Sequence, residues 1–412
     1  MTPISQKNLP PKCLACGKAE LGNCPHHMGE HQDLHIDRRI LRGVRRMMPV
    51  EGSLPSGYSL PPDVVILVPT LRCSLKCPYC FQRDRQNESG KPRVNDEALL
   101  LADWQKIIDE IQPLGLPVIV MGGELFLYSQ AMDLLHRIKD ASLPLTVITN
   151  GLSLPNMAAE LVDTGLNTLI VSIDGLQETH NTLRGHPRSY QLALEGIRLV
   201  YEHRGLCPSP FIQVSCTISS ATQAQLYEFV EEMMKSGVER VVFNNLIFLS
   251  PSQASAHREF MQVKFGIKIK DGRLTHQAQI GIDPGILRRE LDRIRSSPWS
   301  DRVFIPPPGV EQNLEAYYHP DAPPFRDQKC LAAYRELWVF PDGSIAACGH
   351  LPELVMGNAK TDSLMAAWNG RLFRDFRQEL NQRLLPGCAR CEKLIYTRPP
   401  KINAETFQFL DL

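Results

Sequence analysis

From about residue 60, short β-branched runs alternate with longer stretches whose apolar residues recur at helical spacing, the pattern of repeated βα units around a parallel sheet. The runs predict six strands: Val64 to Val68, Val118 to Met121, Leu145 to Thr149, Thr168 to Ile173, Phe211 to Ile218 and Arg240 to Leu246. Between them helices are expected over Asp96 to Ile111 behind the cap Asn95, Ser129 to Asp140, Pro155 to Thr164, Tyr190 to His203, and Thr222 to Ser236 before Gly237. Six units are too few for the eight-fold barrel, yet right-handed crossovers curl the sheet the same way. The predicted fold is α/β, a partial (β/α)6 TIM-like barrel spanning residues 60–250.

Beyond it the pattern changes. Residues 251–325 read as a bridging segment, polar over Ser252 to His257, helical over Pro284 to Ser296, and punctuated by Pro306 to Pro308 and Pro323 to Pro324. In residues 326–395, Leu337 to Phe340, a Pro341-Asp342-Gly343 turn and Ser344 to Ala347 form a β-hairpin pattern. A small C-terminal domain of its own is expected there, followed by a tail over 396–412.

Composition narrows the function. The 412 residues predict two to three domains at roughly 150 residues each. Lysine plus arginine equals aspartate plus glutamate at 45 each, so the net charge is zero and the electrostatic footprint of a nucleic-acid binder is missing. No signal-peptide core opens the chain and no run of 18 apolar residues crosses it, so the expectation is a soluble cytoplasmic protein without membrane partners. Twelve cysteines are unusual in such a chain, and their tight pairs and triplets point to metal ligation in a reducing compartment rather than to disulfides.

Directly after the first strand, Cys73, Cys77 and Cys80 form a C-x3-C-x2-C triplet in a loop at the strand's carboxyl end, where α/β barrels build their chemistry. Three thiolates can hold three irons of a 4Fe-4S cubane, and the next cysteine or histidine is His136, so one iron keeps an open position. A zinc site is the alternative, but structural zinc takes four protein ligands and only three are at hand.

With this triplet, and with the aromatic Tyr79 before its last cysteine, the chain resembles the radical S-adenosylmethionine (radical SAM) superfamily over about residues 62 to 250. Further motifs match in order. Gly122-Gly123-Glu124 after the second strand is similar to the family's element for the methionine amino group: two glycines permit close backbone approach and a carboxylate meets an ammonium. A bare turn would use the same glycines, and Leu125 stands where many relatives have proline. The resemblance implies that Tyr79, Phe81, Asn150, Ser172 and Asp174 also line the cofactor site. It also implies that Arg184, in a segment Thr179 to Gly185 similar to that of peptide- and sulfatase-modifying members, pairs with the methionyl carboxylate. Without the resemblance, Arg184 reads equally as a surface arginine.

Near the other end, Cys330, Cys348, Cys388 and Cys391 supply four sulfurs, enough for zinc or for a 4Fe-4S cluster. Their pattern resembles the twitch subdomain attached to many radical enzymes. The larger SPASM domain carries further cysteines, and none follows Cys391, so one auxiliary 4Fe-4S cluster is expected. Closed by four protein ligands, it would pass electrons or serve structure.

Residues 1–59 hold a third group. Cys13, Cys16 and Cys24 with His27 can close a zinc or single-iron site, or stay reduced thiols, and Arg38 to Arg46 form a basic amphipathic pattern that suits an anionic partner or a solvated face. Cys207 and Cys216 remain: Cys216, on the fifth predicted strand, is either a hydrogen donor facing the barrel interior or a packed core residue.

The implied activity is reductive cleavage of S-adenosylmethionine and hydrogen abstraction by the resulting 5'-deoxyadenosyl radical, with electrons from a flavodoxin- or ferredoxin-type reductant. Oxidation or radical bond formation on a peptide or on a small metabolite such as a sugar or nucleoside is the expected outcome. Epimerisation through a cysteine hydrogen donor is the alternative within the class, and a catalytically silent zinc-binding interaction protein is the alternative outside it.

Overall fold

The computed structural model describes residues 57–80, 82, 99–269, 281–306, 310–319, 330–391 and 393–394. Cys13, Cys16, Cys24, His27, the arginine-rich stretch, Phe81, the cap Asn95 and Pro323 to Pro324 lie outside the described residues.

The strands are β1 (Val64–Leu67), β2 (Val118–Val120), β3 (Leu145–Thr149), β4 (Thr168–Ser172), β5 (Phe211–Ile218), β6 (Arg240–Asn245), β7 (Val303–Phe304), β8 (Glu336–Val339), β9 (Ser344–Ala346) and β10 (Val355–Asn358). They make one sheet in the order β10-β9-β8-β1-β2-β3-β4-β5-β6-β7. Every pairing from β8 through β7 is parallel, and only the hairpin β8-β9-β10 is antiparallel. The C-terminal hairpin therefore extends the barrel sheet: β8 lies beside β1 with Val64 opposite Glu336 and Leu67 opposite Val339. The bridging segment adds β7 at the far edge, against β6.

Strand alternation sorts side chains onto two faces. On one, Val65, Leu67, Val120, Val147, Val171 and Val214 pack beneath the helices in the main core, each fully out of solvent. On the other, Val64, Ile66, Val68, Trp338 and Phe340 form a separate apolar cluster with Ile119 and Met121. Along that inner face the lining turns polar towards β6: Ser172, Ser215, Thr217 and Asn244 are half-buried, with Ser172 opposite Ser215 and Thr217 opposite Asn244. Asn244 Nδ2 donates to Ser215 Oγ at 2.6 Å.

The helices Leu101–Ile111, Ala131–Asp140, Leu154–Asp163, Ser189–Arg204 and Leu226–Lys235 fill the crossovers. Among the helices with no counterpart in the sequence reading, two flank the barrel strands. Gln177–Arg184 follows β4, and Pro251–Phe265 replaces the polar stretch expected at Ser252 to His257. The latter carries signals that reveal it: Ser250 and Gln253 form a capping box, Pro251 occupies the first turn, and Gly266 ends it in the left-handed region. Among the described residues no helix is long and apolar enough to cross a membrane.

Candidate active site

The carboxyl ends of β1 to β4 meet around the cysteine triplet. Beyond Val68 the chain runs through Thr70, Leu71 and Arg72 into Cys73, and the end of β2 is laid against it: Gly123 N donates to Thr70 O at 2.9 Å and Glu124 N to Arg72 O at 2.7 Å. The two glycines also have a role within the chain itself. A Cβ on Gly122 would stand 2.3 Å from Thr70 O, and one on Gly123 would stand 2.2 Å from Arg72 O. They let β2 pack against the chain's own cysteine-bearing loop, where no other residue fits.

Glu124 is buried and joins β2 to β3. Its Oε1 accepts from Thr149 Oγ1 at 2.9 Å and its Oε2 from Asn150 N at 2.8 Å. Burial raises its pKa, and these hydrogen bonds pull the other way. Asn150 Nδ2 reaches back to Cys73 Sγ at 3.9 Å, so β3 touches the triplet as well.

From β4, Asp174 is fully buried. Its Oδ1 accepts from Thr217 N at 2.8 Å, its other oxygen forms an ion pair with Arg184, and its own N–H donates to His180 Nδ1 at 2.9 Å. Arg184 was expected to take the methionyl carboxylate; in the structure its guanidinium is held by Asp174, because the helix Gln177–Arg184 turns the side chain back onto the end of β4. The pair stands within electrostatic reach of Cys77 and Tyr79. Burial pushes the Cys77 thiol up to about 11 while the Arg184 charge draws it down, and burial carries the Tyr79 hydroxyl well above its usual range. Burial likewise lowers His180 to about 4, so its imidazole is neutral, with Nδ1 accepting and Nε2 carrying the proton. Ser172 lies half-buried on the inner face beside this group.

Cys216 faces the other way. It falls in step with Val214 and Ile218, is fully buried in the helix-covered core, and is no donor facing the barrel interior. Cys207, buried after the helix Ser189–Arg204, is disulfide-bonded.

At the second site, Cys330 precedes β8, Cys348 follows β9, and Cys388 and Cys391 flank a turn after the helix Arg371–Gln382. Cys330 lies close enough to raise the pKa of Cys348 and of Cys388, and Cys348 that of Cys388, although burial is the larger cause, taking Cys330 to about 11 and Cys348 to about 12. Glycines beside these cysteines let rings pack flush: a Cβ on Gly349 would come within 2.6 Å of the Trp338 indole, and one on Gly387 within 2.8 Å of the His257 ring. The sequence reading missed the charged pair at this site, Glu336 and Lys393, whose one trace is a lone acid opening the otherwise apolar strand Glu336–Val339.

Residues 67–207 match the radical SAM superfamily and residues 330–392 match an iron-sulfur cluster-binding domain, SPASM. The chain belongs to the radical SAM superfamily. It is 25% identical over 342 residues to the AdoMet-dependent heme synthase of Methanosarcina barkeri, covering 78% of this chain and 86% of that protein. It is also 25% identical over 317 residues to the sporulation killing factor maturation protein SkfB of Bacillus subtilis, covering 76% of this chain and 66% of that one. Among solved structures, Streptococcus suis SuiB bound to precursor peptide SuiA aligns with a TM-score of 0.56 at 15% identity, over 85% of this chain and 72% of that chain. That likeness shows the partial-barrel fold.

A radical SAM enzyme with a SPASM domain carries a 4Fe-4S cluster, S-adenosylmethionine and auxiliary iron-sulfur. The donor sets of this chain fit: soft sulfurs are gathered at both places. Among the described residues no three Cys, His, Asp or Glu side chains converge as the ligands of one ion would. A cubane carries its ligand sulfurs on separate corners and asks for no such convergence. Held up by burial, the thiols of Cys73, Cys77, Cys330, Cys348 and Cys388 are neutral until iron replaces their protons.

Proposed function

We propose that Cys73, Cys77 and Cys80 ligate the cluster that binds S-adenosylmethionine, that Cys330, Cys348, Cys388 and Cys391 ligate one auxiliary cluster, and that the enzyme oxidises or forms a bond on a peptide. When bound, the cluster and S-adenosylmethionine together supply an electron to the sulfonium and a carbon radical that abstracts hydrogen. The observation that carries the reading is the convergence of four strand ends on the triplet through Gly123, Glu124, Asn150 and the Asp174–Arg184 pair.

The residues divide the work. Gly122 and Gly123 hold the triplet loop against β2; Glu124 and Asn150 fix its position against β3 and leave carboxylate lone pairs for an ammonium. Arg184 places a permanent positive charge beside Cys77, which favours the thiolate that iron requires. Asp174 holds that charge in place.

A peptide is favoured by the polar strip of the inner face. Ser172, Ser215, Thr217 and Asn244 are uncharged donors and acceptors, matched to backbone amides rather than to the carboxylates of a tetrapyrrole, which would call for cations. The names of relatives that mature peptides agree with this choice. A flavodoxin- or ferredoxin-type protein would deliver the electron.

The test uses anaerobic, reconstituted enzyme with S-adenosylmethionine, a reductant and a precursor peptide encoded beside its gene, in deuterated water. The expected product has lost two hydrogens and carries no solvent deuterium at the reacting carbon. Gain of one deuterium there, with no net oxidation, would favour epimerisation instead.

A further inference from the structure

The second cysteine site contains a charged pair, its carboxylate buried and its ammonium partly exposed, that the proposed chemistry does not use. Glu336 opens β8 and is 2% exposed. Its Oε1 accepts from Lys393 Nζ at 2.9 Å and its Oε2 from Trp338 Nε1 at 3.1 Å. Lys393 stands two residues past Cys391, and its backbone N–H donates to Cys391 Sγ at 3.4 Å. The Trp338 ring beneath the ammonium, 5.8 Å from Nζ to its centroid, packs on Gly349 next to Cys348. One residue pair is therefore tied to both arms of the cysteine set.

Both charges stand beside the sulfurs: Lys393 bonds Cys391 through its backbone N–H and reaches with its side chain to Glu336, at the head of the strand that follows Cys330. Charges so placed bias a cluster between its oxidation states, because reduction adds one negative charge to the same place. Burying the Glu336 carboxylate is costly, and an apolar residue would close the hairpin as well, so a carboxylate placed beside these sulfurs points to an electrostatic role.

We propose that the Glu336–Lys393 pair sets the reduction potential of the auxiliary cluster, the carboxylate lowering it and the ammonium raising it. The proposal rests on the reading that Cys330, Cys348, Cys388 and Cys391 ligate that cluster. Both residues are positioning residues: neither ligates iron, and the backbone hydrogen bond from Lys393 to Cys391 survives any side-chain exchange.

The full chain with Cys73, Cys77 and Cys80 all replaced by alanine leaves the auxiliary cluster as the one to be titrated. In that background, Glu336→Gln, Lys393→Gln and the double variant are reconstituted anaerobically, and their potentials are read by redox titration followed by electron paramagnetic resonance. Glu336→Gln is expected to raise the reduced-to-oxidised ratio at fixed potential about tenfold, and Lys393→Gln to lower it about tenfold, each equivalent to ~59 mV for a one-electron couple. The double variant is expected to return close to the parent. A pair that merely tethers the hairpin would shift both single variants the same way or not at all, which overturns the proposal while the cluster itself remains. If the parent background binds no cluster, the four-cysteine reading fails and takes the proposal with it.

Discussion

Gly123→Ala is the sharpest small perturbation of the catalytic end. The new methyl carbon would lie 2.2 Å from Arg72 O and 2.6 Å from both Arg72 C and Leu71 C, all main-chain atoms that have no rotamer to escape through. Relief to ordinary contact requires the loop to retreat by about 1 Å, and overpacking of this kind costs about 1–3 kcal/mol. Retreat also strains the Gly123–Thr70 and Glu124–Arg72 backbone hydrogen bonds, each contributing about 1 kcal/mol. Because Arg72 immediately precedes Cys73, the displacement passes to a cluster ligand, and a 1 Å misplacement at a reacting centre lowers rate by about 100-fold. The assays are iron per chain after anaerobic reconstitution and 5'-deoxyadenosine release. Iron is expected to fall towards half with the auxiliary cluster retained, and cleavage by about 100-fold. Gly185→Ala is the control: it sits at φ +68° with open space around its missing Cβ, so it should cost about 1 kcal/mol of stability and leave iron unchanged. Wild-type iron and cleavage in Gly123→Ala would refute the reasoning.

Arg184→Met leaves Asp174 as an unpaired buried carboxylate, and breaking a buried pair in this way is expected to cost about 3–5 kcal/mol, read as a fall in the urea midpoint. Arg184→Met with Asp174→Asn should recover most of that stability, whereas a surface arginine would show neither effect. His180 supplies a pH signature: its pKa falls from an ordinary 6.5 to about 4 in the fold, so the unfolded chain binds more protons between those values. Its contribution is fully present above pH 6.5 and is lost as pH falls towards 4, about 3 kcal/mol in all at ~1.4 kcal/mol per unit. Stability compared by urea unfolding at pH 7 and pH 5 should fall less in His180→Gln than in the parent; an equal fall in both would count against a buried neutral imidazole.

The parts of the fold that local pattern controls were legible. Strands β1 to β6 lie within a residue of the predicted runs because each is β-branched and bounded by glycine, proline or polar turns. The position of β8 beside β1 was not, since a parallel pairing between Val64 and Glu336 leaves no trace in either neighbourhood. For Cys216 alternation gave two faces without saying which one the helices cover, and packing decided for the core. The cysteine triplet and Glu124 were legible as chemistry, but the partners of Arg184 and the neighbours of Gly122 and Gly123 depend on how loops from different strands meet. The Glu336–Lys393 pair escaped for the same reason, its members being separated along the chain and joined only by the fold.

The central claim is that Cys73, Cys77 and Cys80 hold the cluster that cleaves S-adenosylmethionine. Iron content and 5'-deoxyadenosine release, measured together on anaerobic wild-type protein and on the variant with all three replaced by alanine, test it directly. The wild type should hold about eight irons and cleave S-adenosylmethionine, and the variant about four with no cleavage. Cleavage that survives the triple substitution would contradict the account.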